Sequence, residues 1–261
     1  MFQADLSNGV AIHKRDEGGT GPALVFSNSL STDFRIWEPL LPYLPAGWRV
    51  LRYDKRGHGL SDCPPGPWTI EDHMRDLAGL MDAVGITRAV ICGLSVGGMI
   101  AQSLAAARPD LVRALILCDT GAKIGSAEIW NARIAAVREG GGMHAVVDAT
   151  MERWFTAAFR NDPARVSPWR NMVAATRAEG YIATGEAIRD ADLTASTAAL
   201  RLPCLAICGD EDRATPPDLV RATAALIPNS RYETIERAGH IPNVERPERL
   251  GALITEFMAA L

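Results

Sequence analysis

The sequence has no surplus of positive charge. Its 27 Lys and Arg residues are outnumbered by 31 Asp and Glu residues, which gives a formal net charge of −4. The basic residues are scattered along the chain rather than grouped. A chain without a basic patch has no field that attracts nucleic acid or an anionic membrane. We therefore expect neither of them as a partner.

Cysteine is also scarce, and the five cysteines lack the spacing of a metal-binding motif. Four of them lie in apolar, strand-like runs, as small buried side chains of a reducing compartment would: Cys92, Cys118, Cys204 and Cys208. The opening residues MFQADLSNGV have neither the basic nor the apolar region of a signal peptide. These features predict a cytoplasmic protein without a metal site.

Long hydrophobic runs are missing too, with one apparent exception. Residues 89–107 carry no charge, and the length of this stretch is that of a short membrane span. However, glycines and Gln102 interrupt the stretch, and its pattern changes at Ser95. We therefore predict no membrane span.

Strand-like and helix-like runs alternate through most of the chain. Helical patterns fall near 70–84, 96–108, 217–227 and 247–260, and the predicted strands lie in VAIHKRDEG, PALVFSN, WRVLRYD, RAVICG, VRALILCD, PCLAICGD and SRYETIERAG. This alternation predicts an α/β fold with a mostly parallel central sheet and helices on both faces. Ligands of such sheets bind at the carboxyl ends of the strands.

The alternation stops between Gly121 and about Leu200. This segment is helical in pattern and contains no predicted strand, and it is too long for an ordinary connection. We predict a helical cap over residues 122–200, inserted into a core made of residues 1–121 and 201–261.

Three glycines surround Ser95, although glycine costs about 0.5–1 kcal/mol relative to alanine inside a regular element. Gly93-Leu94-Ser95-Val96-Gly97 has the form Gly-x-Ser-x-Gly and lies between a predicted strand and a predicted helix. That pattern is typical of a nucleophile elbow, in which a serine occupies a strained strand-to-helix turn. The alternative interpretation is a flexible, glycine-containing turn of an ordinary parallel sheet, without a nucleophile.

A serine nucleophile needs a base and an acid that orients the base, here in the chain order serine, acid, histidine. Only His144 and His240 follow Ser95, and His144 lies in the predicted cap, where a surface position is expected. His240 comes just after the last predicted strand. We therefore predict that His240 is the base.

The acid lies in the segment ICGDEDRATPP. Thr215 to Asp218 resemble a helix capping box, which places the acidic residues in the loop before a helix. Asp210 follows the strand directly, whereas Asp212 lies further out, where its side chain can reach His240. We favour Asp212 and keep Asp210 as the alternative.

Four segments together resemble the α/β-hydrolase superfamily along the whole chain: RYDKRGHGLSD, GLSVGG, CGDEDRATP and AGHIPNVERPE. In that family the acid ends a Gly-x-x-Asp step, here Gly209 to Asp212. Asn28-Ser29 replaces the usual His-Gly after the third strand. With WNARIAAVREGG, ERWFT and AIRDADL, this variant resembles the 3-oxoadipate enol-lactonases.

The resemblance implies a cofactor-free carboxylic-ester hydrolase that opens a small lactone in aromatic-acid catabolism. It implies that the backbone N–H groups of Leu30 and Val96 form the oxyanion hole, and that His58 has no catalytic role.

An enol-lactone of this kind carries a carboxylate, and a water-excluding site must neutralise that charge. Trp130 and Arg133 share a predicted helix face in the cap and are our candidates for binding the substrate. If Arg133 is only a surface charge, the reserve candidates are Arg153, Arg189, Arg35 and Lys123.

Other functions remain open at the level of the sequence. On the same scaffold they are a general carboxylesterase and a hydrolase of carbon–carbon bonds in ring-cleavage products. A non-catalytic ligand receptor belongs to a different class, although such relatives usually lose a member of the triad. The sequence does not indicate an oligomeric state.

Overall fold

The computed structural model describes residues 3–261, and its centre is an eight-stranded sheet. The strand order is β1-β2-β4-β3-β5-β6-β7-β8. β1 and β2 pair antiparallel with each other, β2 pairs antiparallel with β4, and the other neighbours are parallel. The strands are β1 (Gln3–Ser7), β2 (Val10–Asp16), β3 (Ala23–Ser27), β4 (Arg49–Tyr53), β5 (Ala89–Leu94), β6 (Val112–Cys118), β7 (Cys204–Gly209) and β8 (Arg231–Ile235).

Helices connect the parallel strands and fill the segment between β6 and β7. Two 3-10 helices cover Phe34–Tyr43 and Met143–Ala145. The α-helices are α1 (Ile70–Ala83), α2 (Val96–Ala107), α3 (Ala127–Glu139), α4 (Val147–Trp154), α5 (Ala157–Arg160), α6 (Pro163–Ala174), α7 (Ala178–Asp190), α8 (Thr194–Ala198), α9 (Pro217–Leu226), α10 (Pro242–Glu245) and α11 (Pro247–Ala259).

The predicted α/β fold is confirmed, and burial explains why the central strands were easy to recognise. Every residue of β5 and β7 is buried. Strands covered on both sides become continuous apolar runs, which is the pattern of a parallel sheet. β1 was not predicted because its five residues, QADLS, are short and polar and lie at the antiparallel edge of the sheet.

The helical insertion is present between β6 and β7. Within the described chain this segment holds α3 to α8 and no strand, and α3 packs against α7. It places Trp130, Arg133 and Arg153 over the carboxyl edge of the sheet, beside Ser95. The domain boundaries given above stay a prediction.

Two local predictions meet different outcomes. The capping box over Thr215 to Asp218 is wrong, because α9 has Pro216 as its N-cap and no side chain caps it. The uncharged stretch 89–107 is divided at Ser95 into β5 and α2. No helix in residues 3–261 has the length and apolar character needed to cross a membrane.

Candidate active site

Ser95 occupies a strained turn between β5 and α2. Its backbone has φ 57° and ψ −121°, a conformation that L-residues rarely adopt and that must be held by its surroundings. The Ser95 N–H donates to the Cys118 carbonyl at 3.0 Å, and its carbonyl accepts a hydrogen bond of 2.6 Å from the Thr120 hydroxyl. The turn is therefore fixed from both sides.

The three glycines around Ser95 are required by close backbone approach. A Cβ on Gly93 would lie 2.3 Å from the Gly97 carbonyl oxygen, and a Cβ on Gly97 would lie 2.0 Å from the Ser27 carbonyl oxygen. A Cβ on Gly98 would lie 2.5 Å from the Thr120 side chain. Each is far inside van der Waals contact, so larger residues would push the strand and the helix apart.

Asp212 and His240 form a buried hydrogen-bonded pair at the ends of β7 and β8. The His240 Nδ1 atom lies 2.9 Å from Asp212 Oδ2, and the two residues are 1% and 4% exposed. The Thr215 hydroxyl donates to the same Oδ2 atom at 2.7 Å, and Oδ1 accepts from the N–H groups of Ala214 and Thr215. Burial raises the pKa of Asp212, but the charge of His240 and these hydrogen bonds outweigh it and hold the pKa below its usual value.

Asp210, the alternative acid, lies apart from this pair. It is exposed, and its side chain accepts one hydrogen bond, from the Ala238 N–H at 3.3 Å. Of the two carboxylates, the structure brings Asp212 to His240.

Ser95 and His240 line the same cavity. Ser95 is 9% exposed, and among the described residues no hydrogen bond joins its hydroxyl to the imidazole. Proton transfer from the Ser95 hydroxyl to the imidazole requires this hydrogen bond to form. Catalytic hydrogen bonds are often long in unliganded enzymes and tighten when substrate binds.

The loop that carries His240 is fastened to the helical insertion. The His240 N–H donates to the Trp154 carbonyl at 2.8 Å. The buried Glu245 carboxylate accepts from the Gly239 N–H at 2.6 Å, and from the N–H and the hydroxyl of Thr156. Burial raises the pKa of Glu245, although these donors oppose the rise.

The two expected oxyanion donors are unengaged. Val96 is the first residue of α2, where the N–H has no acceptor inside the helix and the helix dipole favours negative charge. Leu30 lies in the loop after β3 and lines the cavity beside Ser95. Within residues 3–261 neither N–H donates a hydrogen bond.

Asn28 anchors the loop that precedes Leu30. Its Nδ2 donates to the Tyr53 carbonyl at 2.7 Å, and its Oδ1 accepts from Trp37 Nε1 at 2.7 Å. The residue that replaces the more usual histidine therefore ties the loop to β4 and to the first 3-10 helix.

Two arginines from the helical insertion line the cavity. The Arg133 guanidinium lies 4.9 Å from the centre of the Trp130 ring, and Trp130 donates through Nε1 to the Ile124 carbonyl at 2.7 Å. Arg153 donates to the Thr150 hydroxyl at 3.0 Å. Among the described residues neither arginine has an ion pair with a carboxylate.

The electrostatics of the two arginines reflect this lack of counter-charge. Burial lowers the pKa of Arg133. Burial, with the charge of Arg133, lowers the pKa of Arg153 to about 10. Burial raises the pKa of Tyr181, and the charges of Arg133 and Arg153 partly oppose this increase. Charges partly withdrawn from water without a partner are costly, which is typical of a site that receives an anion.

The other reserve cations lie elsewhere and are paired. Arg35 binds Asp33, Lys123 binds Asp192, and Arg189 binds Asp190. Two lining residues, Trp154 and Tyr181, were not singled out from the sequence. Nothing local marks Tyr181, because α7 presents it to the cavity only once the insertion has folded.

A second acidic group lies behind the Asp212–His240 pair. Ligand atoms of Asp119, Cys208 and Asp212 lie within 4.8 Å of one another. Burial and, to a smaller extent, the negative charge of Asp212 raise the pKa of Asp119 well above its usual value. Burial also raises the pKa of the Cys208 thiol. A metal ion binds the deprotonated forms of these groups, so the raised pKa values of Asp119 and Cys208 oppose metal binding here.

His58 is buried, with Nδ1 at 3.1 Å from the Arg56 carbonyl. It is not among the residues that line the cavity containing Ser95.

Comparison with known proteins agrees with this arrangement. Residues 13–253 match the alpha/beta hydrolase family. The chain is 36% identical to 3-oxoadipate enol-lactonase 2 of Acinetobacter baylyi over 91% of this chain and 88% of that protein, and 33% identical to 3-oxoadipate enol-lactonase 1 of the same organism over 92% and 90%.

Solved structures give the same result. The enol-lactonase from Burkholderia xenovorans superposes with a TM-score of 0.95 at 40% identity, covering 98% of this chain and all of that one. A thermophilic esterase from Thermogutta terrifontis superposes with a TM-score of 0.92 at 30% identity, covering 100% and 98% of the two chains. The chain therefore belongs to the alpha/beta hydrolase family.

Proposed function

We propose that this hydrolase opens the lactone ring of 3-oxoadipate enol-lactone and releases 3-oxoadipate. The observation that carries the proposal is that Arg133 and Arg153 line the same cavity as Ser95 and have no ion pair with a carboxylate among the described residues. The substrate combines an ester bond for the serine with a carboxylate for the arginines. The similarity to two 3-oxoadipate enol-lactonases supports this substrate.

Acylation begins at Ser95. His240 Nε2 accepts the hydroxyl proton while Oγ attacks the lactone carbonyl carbon, and Asp212 holds the imidazole with its other nitrogen protonated. The carbonyl oxygen becomes an oxyanion, which the N–H groups of Leu30 and Val96 stabilise.

Ring opening and hydrolysis complete the cycle. The tetrahedral intermediate collapses, the ring C–O bond breaks, and His240 gives its proton to the departing enol oxygen. The enol can tautomerise to a ketone, which makes ring closure unfavourable. A water molecule, deprotonated by His240, then attacks the acyl-enzyme, and 3-oxoadipate leaves as Ser95 regains its proton.

The arginines select the substrate. A guanidinium binds a carboxylate with two parallel hydrogen bonds, and the ring of Trp130 supplies a flat apolar surface beside it. The related Thermogutta esterase was solved with malate, itself a dicarboxylate. That similarity also makes general ester hydrolysis the second candidate, with the same triad and no need for the arginines.

Two substrates separate these candidates. We expect Arg133→Met to raise the KM for the enol-lactone at least about tenfold, or about 1.4 kcal/mol, and Arg153→Met to act in the same direction. Hydrolysis of uncharged p-nitrophenyl acetate should hardly change in either variant. Arg189→Met, a half-buried arginine outside the cavity that is paired with Asp190, is the matched control.

Equal losses on both substrates would mean that Arg133 supports the cap rather than the ligand. A wild-type enzyme that prefers p-nitrophenyl acetate and does not discriminate in favour of the enol-lactone would be a general esterase.

A further inference from the structure

Lys55 is buried directly behind the loop that carries Leu30. It follows β4, is 1% exposed, and donates through Nζ to the Ser29 carbonyl at 2.5 Å and to the Thr32 carbonyl at 3.4 Å. The Thr32 hydroxyl donates to the same Ser29 carbonyl at 2.9 Å. One carbonyl group of the loop is thus held by two side-chain donors.

This carbonyl belongs to the peptide unit whose N–H is that of Leu30. In a planar trans peptide the C=O and the following N–H point in opposite directions. Because Lys55 holds the Ser29 oxygen on the buried side, the Leu30 N–H points to the other side. There Ser29 and Leu30 line the cavity together with Ser95.

The bonding of Lys55 is unusual for a buried cation. Within the described chain it has no ion pair with a carboxylate, and its ammonium group donates hydrogen bonds to the loop of residues 29–32 alone. Burying an ammonium group is expensive, and an ordinary core would fill the space with an apolar side chain. A lysine retained here therefore points to a requirement of that loop.

We propose that Lys55 is a positioning residue for the oxyanion hole, aiming the Leu30 N–H at the substrate carbonyl by holding the Ser29 carbonyl from behind. The inference rests on the proposed serine-hydrolase function. A donor on the Ser29 oxygen also polarises the peptide unit and strengthens its N–H as a donor.

The proposal does not depend on a fixed charge. Burial lowers the pKa of Lys55 to about 7, against the opposing charges of Asp54 and Asp33. Both the ammonium and the neutral amine keep N–H donors, so the contact with the Ser29 carbonyl survives either state.

Steady-state kinetics with p-nitrophenyl acetate test the proposal. Losing an oxyanion donor costs about 10²–10³ in kcat, and misaligning one should cost less, so we expect Lys55→Met to lower kcat at least about tenfold. KM should stay within about twofold. Thr32→Val removes the weaker donor from the same carbonyl and should lower kcat about threefold. It also provides the test if the Lys55→Met variant does not fold.

Ser61→Ala is the matched control. The Ser61 hydroxyl donates to the Asp54 carbonyl at 2.5 Å and accepts from the His13 N–H at 2.8 Å, but it has no bond to the loop of residues 29–32. This variant should lose thermal stability and keep the wild-type kcat.

A transition-state analogue distinguishes positioning from support of the fold. An aryl trifluoromethyl ketone reacts with a serine hydroxyl to form a hemiketal oxyanion, which needs the oxyanion hole. Its Ki should rise in Lys55→Met and Thr32→Val by the same factor by which kcat/KM falls. Folded variants with wild-type kcat and Ki would overturn the proposal. So would kcat losses that track the loss of thermal stability, including in Ser61→Ala, without any change in Ki.

The activities of two variants show whether the role of Lys55 or the proposed function itself is wrong. If Ser95→Ala stays active, the serine-hydrolase function itself is wrong. If Ser95→Ala is inactive and folded Lys55→Met retains the wild-type kcat, only the role of Lys55 is wrong.

Discussion

Asp212→Asn should inactivate the enzyme through the hydrogen bonds around the carboxylate. The Oδ1 atom of Asp212 accepts two backbone N–H groups, from Ala214 and Thr215, which require an oxygen at that position. An asparagine would keep its oxygen there and turn its NH₂ group toward His240 Nδ1. The imidazole would then carry its proton on Nε2 and could not accept the proton of Ser95.

The magnitude follows from that wrong tautomer. In a well-studied serine protease the same substitution costs about 10⁴ in kcat, and four factors of ten correspond to about 5.4 kcal/mol of transition-state stabilisation. The assay is kcat at saturating enol-lactone for purified protein, with thermal unfolding measured alongside to show that the variant is folded.

Asp210→Asn is the matched control for this prediction. Its carboxylate is exposed and accepts a single hydrogen bond from Ala238, so its kcat should stay within about tenfold of the wild type. The reverse ranking of the two variants would move the acid to Asp210. An Asp212→Asn variant with more than a tenth of wild-type kcat would refute the reasoning about the tautomer.

The remaining predictions concern the supports of the site. Gly97→Ala should destabilise the protein by about 1–3 kcal/mol and lower kcat, because its Cβ would lie 2.0 Å from the Ser27 oxygen; an unchanged melting temperature and kcat would contradict this. Burial raises the folded-state pKa of Glu245 above its ordinary 4.5, so its contribution to stability is complete below that pH and is lost as the pH rises through the folded-state value. Urea unfolding between about pH 4 and pH 8 should therefore show that the free energy of unfolding of the wild type falls relative to that of Glu245→Gln as the pH rises. A relative rise would mean that folding lowers the pKa of Glu245 instead.

Local rules allowed much of the fold and of the candidate site to be predicted. β3, β5, β6 and β7 are apolar enough to be recognised alone, and Gly93 and Gly97 mark a close approach that any Ser95 turn of this kind requires. Chain order leaves His144 and His240 as the histidines after Ser95, and the position of His240 just after the last predicted strand indicates it as the base.

The features that sequence reasoning missed depend on how the site is assembled. Thr215 resembles a helix cap, but its hydroxyl donates to the Asp212 carboxylate, which in turn contacts His240 from a distant part of the chain. Trp154 and Tyr181 reach the cavity through the packing of the helical insertion, which periodicity does not specify. Lys55 is a charged residue in a polar segment, and only its burial shows that it acts on another loop.

The most direct test of the account is the rate of enol-lactone hydrolysis by Ser95→Ala compared with the wild type. The elbow glycines are unchanged in this variant, so it should fold with a melting temperature close to that of the wild type. Loss of the triad serine costs on the order of 10⁶ in kcat in a well-studied hydrolase, and we expect a loss of that order here. A folded Ser95→Ala variant that keeps a tenth of the wild-type activity would contradict the assignment of Ser95 as the nucleophile.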